Sequence, residues 1–304
     1  MNKVQVLKAI INNGQYKLAF HSLMSAITSR SKLWALYKFF SRHRFKSCQD
    51  FLRKNIVSDV PQKKYYDNVS DNKAYENVIW TMWYQGYNQA PQVVRDAIDS
   101  KKIHSNGHKV IIIDKDNMES YVTVPAFMKE KVDSGIISLA HLSDYIRCEL
   151  LRRYGGLWLD STVFVVDEVP DSIFENTFWS IRWEKNRNWI ASYDKWSVGV
   201  VASKPHSDVM EYCSECEYKY WERMNYPVTY LLLDMFIAIY YSSSEKFKEI
   251  VDSTPVNNTY IFQFVEEKAP LGNLLVNEFE YAMYRKDTWI FQLTYKVNYI
   301  RGVL

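Results

Sequence analysis

The sequence predicts an α/β fold: a mostly parallel sheet with helices on both faces, preceded by a helical N-terminal extension. Apolar, β-prone runs at 77–86, 108–117 and 157–166 are separated by segments with helical periodicity. The second run contains four consecutive apolar residues, which is typical of a strand buried on both faces of a parallel sheet. With 304 residues, of which 47% are hydrophobic, the chain can form a sizeable core.

Residues 1–70 are predicted to be a basic helical extension, and 71–304 to be the main domain. Residues 1–67 contain 13 Lys/Arg and 3 Asp/Glu, whereas the remainder contains 25 and 32. This asymmetry indicates an acidic partner, such as anionic lipid, a lipid-phosphate substrate or nucleic acid. The alternating apolar and basic residues of 1–54 have two interpretations: contact with an anionic membrane surface, or helices packed on the main domain with a solvated basic face.

The elements of the main domain follow from local signals. The first strand ends at Gly86, and a helix then begins near Pro91 and ends near Gly107. A helix over 138–154 has Ser138 as its N-cap, and Gly155 ends it before the strand 157–166. Further predicted elements are a strand at 197–203 and helices at 207–224 and 228–243.

The carboxyl ends of these strands are the predicted ligand site. Trp83, Gln85, Asp114 and Asp160 all lie near such ends, which meet at one edge of a parallel sheet. Asp144 and Arg147 are three residues apart on the helix before Asp160, so they share one helix face. Together with Asp160 they suit a phosphate-bearing ligand and a divalent cation. The alternatives are a surface ion pair and an ordinary polar strand end.

Other signals exclude several classes of protein. Cys213 and Cys216 form a CxxC pattern within a predicted helix, but no second CxxC or His pair completes a zinc site. No disulfide framework is indicated, which fits a reducing compartment. No apolar run approaches 18 residues, and the N-terminus lacks the features of a signal peptide. We therefore expect a cytoplasmic protein, with peripheral contact on the inner face of the plasma membrane if residues 1–54 bind lipid.

Several segments carry a family resemblance: NVIWTMWYQGYNQAPQVVRDAIDS, HKVIIIDKDN, GIISLAHLSDYIRCELLRRYGGLWLDSTVFV, KWSVGVVASKP and QLTYKV. In these the chain resembles glycosyltransferases with a DXD-type sugar-binding region, in the capsular polysaccharide synthesis branch of family 32. The resemblance implies a GT-A fold, which has a Rossmann-like sheet. It also implies transfer of a hexose from a nucleotide-sugar, such as a UDP-sugar, to a growing or lipid-linked capsular or O-antigen polysaccharide, with retention at the anomeric carbon.

The resemblance places Asp160 at the first position of the DXD motif. Here the triplet is Asp160-Ser161-Thr162, so the second acidic ligand is missing. Mn²⁺ or Mg²⁺ is expected as cofactor, held by Asp160, the donor pyrophosphate, water and the Thr162 hydroxyl. Weak metal affinity is expected because the protein supplies little charge.

The remaining site residues are assigned in the same way. The expected catalytic residues are Asp144, Arg147 and Asp234, and the expected nucleotide-sugar ligands are Trp80, Trp83, Gln85, Asp144, Arg147, Tyr295 and Lys296. Trp80 and Trp83 would lie on opposite faces of a strand, so only one should meet the ligand, and Trp83 is favoured. Asp234 is a lone acid in an apolar helix and is equally well a structural residue. Tyr295 and Lys296 would form a lid over the pyrophosphate.

Two other functions are compatible with the sequence. The incomplete DXD motif is also compatible with a catalytically inactive module that binds carbohydrate or lipid phosphate. The basic segment and the aromatic residues are compatible with nucleic-acid binding, but no base-reading motif is present and the main domain is acidic. We therefore expect no nucleic-acid partner.

Overall fold

A five-stranded mixed sheet lies at the centre of the structure. The computed structural model describes residues 1–31, 33–60, 75, 77–183, 185, 187–262, 264 and 287–295. In the described part, the sheet has the strand order β2-β1-β3-β6-β5, and β4 and β7 form a second, two-stranded sheet. The strands are β1 Ile79–Met82, β2 Val110–Ile113, β3 Gly156–Leu159, β4 Val163–Val165, β5 Phe178–Ser180, β6 Val200–Ser203 and β7 Ile290–Gln292.

Four strands of the central sheet run in one direction. β1 pairs in parallel with both β2 and β3, with Trp80 opposite Ile111 and Trp158. β6 is antiparallel to β3 and to β5, so β5 runs with the first three strands. The prediction of a mostly parallel sheet is confirmed, and the carboxyl ends of β1, β2 and β3 lie at the same edge.

Helices cover both faces of this sheet, as predicted. Trp80 and Trp158 belong to a large core cluster that also contains the inner sides of α6, α7 and α8. On the opposite face, Ile79 and Leu157 pack with the small sheet, and α4 packs over Ile112. The helices are α1 Lys3–Asn12, α2 Tyr16–Thr28, α3 Trp34–Asn55, α4 Gln92–Ile103, α5 Ala126–Asp133, α6 Leu139–Tyr154, α7 Asp208–Arg223, α8 Leu232–Ser243 and α9 Glu245–Ser253.

The N-terminal segment is helical, as predicted, and its third helix is attached to the main core. Phe45, Cys48 and Leu52 of α3 are buried in the same cluster as Phe236 of α8. Helix α3 packs on both α2 and α8. The predicted boundary near residue 70 lies outside the described residues. None of the helices in the described part is both long and apolar enough to cross a membrane.

Several predicted elements differ in their bounds from the structure. The run 157–166 is not one strand, because the chain turns at 160–162 and β4 leaves the central sheet to pair with β7. The helix predicted over 228–243 begins only at Leu232, and the first strand ends at Met82 rather than at Gly86. The first difference has a long-range cause, since the partner strand of β4 follows more than 120 residues later and leaves no local signal.

The joint between α6 and β3 requires two glycines. Gly155 has φ +65° and Gly156 has φ +98°, both in the region that side chains disfavour. A Cβ on Gly156 would also lie 2.3 Å from the Val78 carbonyl oxygen. The joint is fixed further by Trp80, whose Nε1 donates to the Gly155 carbonyl at 2.9 Å. The glycines thus let α6 return directly into the strand next to β1.

Replacing Gly156 with alanine should be strongly destabilising. Gly135 is the matched control, because it also has positive φ (+71°) but a Cβ there would meet nothing within 4 Å. The Gly135→Ala variant should lose about 1 kcal/mol of unfolding free energy from backbone strain alone. The Gly156→Ala variant should lose at least about 2 kcal/mol more, since β1 and β3 must separate to relieve the clash. Urea unfolding measures both, and equal losses would show that the clash is relieved without cost.

Candidate active site

Polar and aromatic side chains follow the three parallel strands at the edge where these strands end. Trp83 follows β1, Asp114 follows β2 and Asp160 follows β3. Asp114 has a structural role, since its Oδ1 accepts from the backbone N–H groups of Asp116 and Asn117. Asp160 differs because its side chain is 37% exposed and can reach a ligand.

Arg147 joins the two acidic residues that the sequence predicted to lie near it. Its Nη1 donates to Asp144 Oδ1 at 3.0 Å and its Nη2 donates to Asp160 Oδ1 at 2.8 Å. The Arg147 side chain is only 5% exposed, so both ion pairs lie in a region of reduced solvent screening. The surface-ion-pair interpretation is therefore wrong for Asp144 and Arg147.

The local structure explains this arrangement. Ser138 caps α6 by accepting from the backbone N–H of His141, as predicted. Trp158 lies two residues before Asp160 on β3, and its Nε1 donates to Asp160 Oδ1 at 2.7 Å. The guanidinium carbon of Arg147 lies 4.8 Å from the centre of the Trp158 ring, a cation–π contact. Helix α6 and strand β3 thus hold the guanidinium between them.

The second oxygen of Asp160 lies beside a glycine. Among the described residues, no donor contacts Asp160 Oδ2, while Oδ1 accepts from both Arg147 and Trp158. The Asp160 backbone N–H donates to the Gly199 carbonyl at 2.8 Å. A Cβ at position 199 would lie 2.8 Å from Oδ2. Glycine at 199 therefore keeps a side chain from crowding this oxygen.

Negative charge exceeds positive charge in this cluster. Burial raises the pKa of Asp144 to about 7, with Arg147 opposing this rise and Asp160 and Asp234 adding to it. Burial likewise raises the pKa of Asp234 to about 6. Burial alone would lower the pKa of Arg147, but the Asp160 and Asp144 carboxylates outweigh burial and raise it. Arg147 therefore pairs directly with Asp144 and Asp160 and lies within electrostatic range of Asp234.

The raised pKa of Asp234 predicts a specific pH dependence of stability. Between its unfolded pKa of 3.8 and its folded pKa of about 6, the folded state holds a proton that the unfolded state has released. The free energy of unfolding therefore falls as pH rises through this window, by about 2 kcal/mol from this group. Asp234→Asn should remove that decrease, since Asn can still accept from Trp196. Urea unfolding at pH 4.5 and pH 7.5 tests this, and an unchanged pH profile would contradict it.

The structure separates the two candidate nucleobase-stacking tryptophans. Trp80 is fully buried among Tyr75, Tyr121 and Tyr154, so it is a core residue with no surface for a ligand. The expected ligand role of Trp80 is corrected for that reason. Trp83 lies beyond the end of β1 and is half-buried. The preference for Trp83 over Trp80 agrees with this burial.

Trp83 forms an aromatic pair with the C-terminal segment. Its ring centre lies 5.8 Å from that of Tyr295, in an edge-on arrangement. In the described part of the chain its Nε1 is buried without an acceptor. Tyr295 is exposed, and Gln85 is exposed in the turn after β1. Lys296 lies outside the described residues.

Thr162 is fixed in the turn between β3 and β4. Its Oγ1 accepts from Gln292 Nε2 at 2.6 Å, and its carbonyl accepts from the backbone N–H of Leu293. The hydroxyl oxygen retains a lone pair for a cation. No group of three or more His, Cys, Asp or Glu that could hold a metal occurs among the described residues. A cation at Asp160 would therefore need oxygen ligands from its substrate.

Four residues near the cluster were not predicted from the sequence. Trp158 could have been found, because residues two apart on a strand share a face. Trp196 donates to Asp234 at 3.1 Å across a long stretch of chain, with no local signal. Tyr230 is 71% exposed and lies within electrostatic range of Asp144, Asp160 and Tyr295. The fourth is Lys101.

Lys101 is a buried lysine beneath the turn that follows Asp160. Its Nζ donates to the carbonyls of Val163 at 2.7 Å and Ala97 at 3.0 Å. Burial lowers its pKa to about 7, and the Asp160 carboxylate opposes that decrease. Lys101 thus ties α4 to the first residue of β4 and supports the 160–162 turn.

Comparisons with known proteins match this chain to a family and to individual proteins. The family described as capsular polysaccharide synthesis protein matches residues 34–302. The O-glycosyltransferase PaGT of Phomopsis amygdali is 28% identical over 105 residues, which are 32% of this chain and 26% of that protein. Among solved structures, PaToxG Glycosyltransferase matches with a TM-score of 0.41 and 13% identity, covering 72% of this chain and 84% of that one. The chain spans about a quarter of the length of PaGT.

Proposed function

Because the chain belongs to the capsular polysaccharide synthesis protein family, we propose that it transfers a hexose from a nucleotide-sugar to an acceptor saccharide. A UDP-sugar is the proposed donor, and a growing or lipid-linked surface polysaccharide is the proposed acceptor. The observation that supports this best is the buried Arg147, which pairs with Asp144 and with the strand-end Asp160 at the carboxyl edge of the sheet. Ligands of open α/β sheets gather at that edge.

The residues around Asp160 fit a divalent cation that the substrate helps to bind. Asp160 is 37% exposed and its Oδ2 accepts from no donor in the described part of the chain, the Thr162 hydroxyl retains a lone pair, and carboxyl groups outnumber the guanidinium nearby. Mn²⁺ or Mg²⁺ prefers such oxygen ligands. When bound, the cation would supply Lewis-acid stabilisation of the nucleoside diphosphate leaving group. Asp160 and Thr162 are the residues that would hold it.

The other side chains have roles that follow from their positions. Arg147 orients Asp160 and Asp144, since its two terminal nitrogens are engaged by their carboxylates. Asp144, whose second oxygen is not used by Arg147, would accept hydrogen bonds from sugar hydroxyls. Trp83 and Tyr295 would contact the nucleobase, with the Trp83 Nε1–H available as donor.

Asp234 is the proposed carboxyl group nearest the reacting sugar. It is 7% exposed and is oriented by Trp196, and its raised pKa reflects a site with little water. A carboxyl group in such a position can bind a sugar hydroxyl or stabilise positive charge at the anomeric carbon. Retention at that carbon is part of the proposal by family membership, and analysis of the product by NMR tests it.

The proposal is tested by a donor screen. Purified protein is incubated with several UDP- and GDP-sugars and Mn²⁺, with and without a saccharide acceptor, and release of nucleoside diphosphate is measured. We expect release from one UDP-sugar, stimulated by acceptor and abolished by chelation of the metal. A matched sample without protein gives the background. If no donor is turned over but UDP with Mn²⁺ binds, the chain is the inactive binding module that its Asp-Ser-Thr triplet also permits; if neither occurs, the proposal is wrong.

A further inference from the structure

Helices α2 and α3 form a hairpin with an unusual distribution of polarity. The side of α2 that is buried carries Leu18, His21, Ser25 and Thr28, which recur at helical spacing. Polar side chains of α3 meet this side. His21 Nδ1 lies 3.0 Å from Ser47 Oγ, and Ser25 Oγ donates to Ser41 at 3.4 Å. The buried side of α2 therefore combines apolar Leu18 with polar side chains, and small hydroxyl groups contribute to its contact with α3.

The opposite side of α2 is apolar and exposed. Tyr16, Phe20, Leu23 and Ile27 lie at spacings of four, three and four residues, so they form one stripe. Their exposed fractions are 69%, 54%, 47% and 54%. In a helix that borders water the apolar stripe faces the core, so a second apolar stripe that is exposed is unusual. An exposed apolar stripe with basic residues nearby is typical of helices that lie in a membrane interface.

The apolar surface continues from α2 onto α3. Phe20 contacts Phe40 with ring centres 6.0 Å apart, and Phe40 contacts Phe39 at 5.3 Å. Trp34 and Phe39 are 63% and 52% exposed. A continuous patch of this kind marks an interaction surface rather than scattered exposed residues. Trp34 lies at the N-terminus of α3, and aromatic residues of this type are favoured at membrane–water interfaces.

Basic groups border the apolar patch. Arg42, His43 and Lys46 line a surface cavity of about 260 Å³ on α3. Residues 1–47 contain nine Lys/Arg and no Asp or Glu. Two copies of this surface would bring like charges together, whereas an anionic surface would neutralise them. Charge thus favours lipid over a second copy as the occupant.

We infer that the α2–α3 hairpin docks on an anionic phospholipid bilayer. The stripe Tyr16, Phe20, Leu23 and Ile27 enters the boundary between headgroups and acyl chains, and the cavity beside Arg42 and Lys46 receives a lipid phosphate. Such docking would bring the protein to an acceptor that is held in a membrane. It involves surfaces of α2 and α3 rather than the Asp160 cluster, so its test needs no sugar donor.

The test is co-sedimentation of the full chain with vesicles. We expect binding to vesicles of phosphatidylcholine with phosphatidylglycerol, and about 100-fold weaker binding for the triple variant Phe20→Ser, Leu23→Ser, Ile27→Ser. Ile103→Ser is the matched control, because Ile103 is 71% exposed on α4 away from the hairpin, and its binding should be unchanged. Arg42→Gln with Lys46→Gln should weaken binding to the anionic vesicles about tenfold and leave weak binding to phosphatidylcholine unchanged.

A second measurement does not depend on the folding of the triple variant. The fluorescence of Trp34 is obtained as the difference between the wild-type chain and the Trp34→Phe variant. Brominated lipid should quench this fluorescence, since Trp34 borders the patch. Absence of wild-type binding, or unchanged binding of the triple variant, would overturn the inference. If the wild-type chain binds no vesicles but forms a dimer, and the triple variant is a monomer, a second copy of the chain is the occupant instead.

Discussion

Replacing Arg147 with methionine is expected to lower the free energy of unfolding by about 3–5 kcal/mol, because two carboxylates then lose their buried counter-charge. Methionine keeps most of the apolar stem, so the loss reports charge rather than volume. Both of its ion pairs involve a side chain that is only 5% exposed. The measurement is urea unfolding at neutral pH. If Asp144 takes up a proton in the variant, its charge is removed and the loss of unfolding free energy lies at the lower end of the range.

The sequence offers a close control for this variant. Asp99 and Lys102 have the same i, i+3 spacing on α4 and the same 3.0 Å separation, but their side chains are 43% and 46% exposed. Lys102→Met should therefore change the unfolding free energy by less than about 1 kcal/mol. Adding Asp144→Asn to Arg147→Met should recover part of the lost stability. Similar losses for Arg147→Met and Lys102→Met would show that burial does not strengthen the Arg147 pairs.

Replacing Asp160 with asparagine is expected to reduce donor turnover about 1000-fold, which corresponds to several kcal/mol of lost cation stabilisation. The carbonyl oxygen of asparagine can still accept from Arg147 and Trp158, so the unfolding free energy should change by about 1 kcal/mol or less. The variant thus removes the negative charge of residue 160 while keeping its hydrogen bonds to Arg147 and Trp158. The assay is release of nucleoside diphosphate from the preferred donor over a range of Mn²⁺ concentrations.

Asp133→Asn is the control for that experiment, because this substitution makes the same chemical change at a different position. Asp133 is exposed at the end of α5. Its turnover should equal that of the wild-type chain. Full activity of Asp160→Asn, unaffected by chelator, would exclude Asp160 as a metal ligand. Activity that is lost together with the folded state would instead point to a structural role.

The part of the site that could be predicted from the sequence is the part encoded locally. Helical spacing placed Asp144 and Arg147 on one face, and the short joint after α6 brought Asp160 next to them. Sequence pattern could not show that Arg147 is buried, because α7, the helix that packs on α6, follows about 60 residues later in the chain. The turn after Leu159 likewise leaves no local signal, since the apolar run continues to residue 166 and only pairing with β7 draws β4 away from the central sheet.

The side chains that orient Asp160 and Asp234 are the main part of the site that the sequence analysis does not identify. Trp158 shares a strand face with Asp160 and could have been inferred, whereas Trp196 reaches Asp234 only through the tertiary fold. The exposed apolar stripe of α2 is likewise not identified by the sequence analysis. Periodicity alone assigns an apolar stripe to the core, and only the exposed fractions show that this one faces outward.

The short chain distance between Arg147 and Asp160 has a consequence for folding. Only 13 positions separate them, so closing that loop costs little conformational entropy. Contacts between residues close in sequence form fast. We therefore expect this ion pair to form early during folding, before Asp234 and Tyr230 are recruited from the distant C-terminal half. Hydrogen exchange during refolding should protect α6 and β3 before α8.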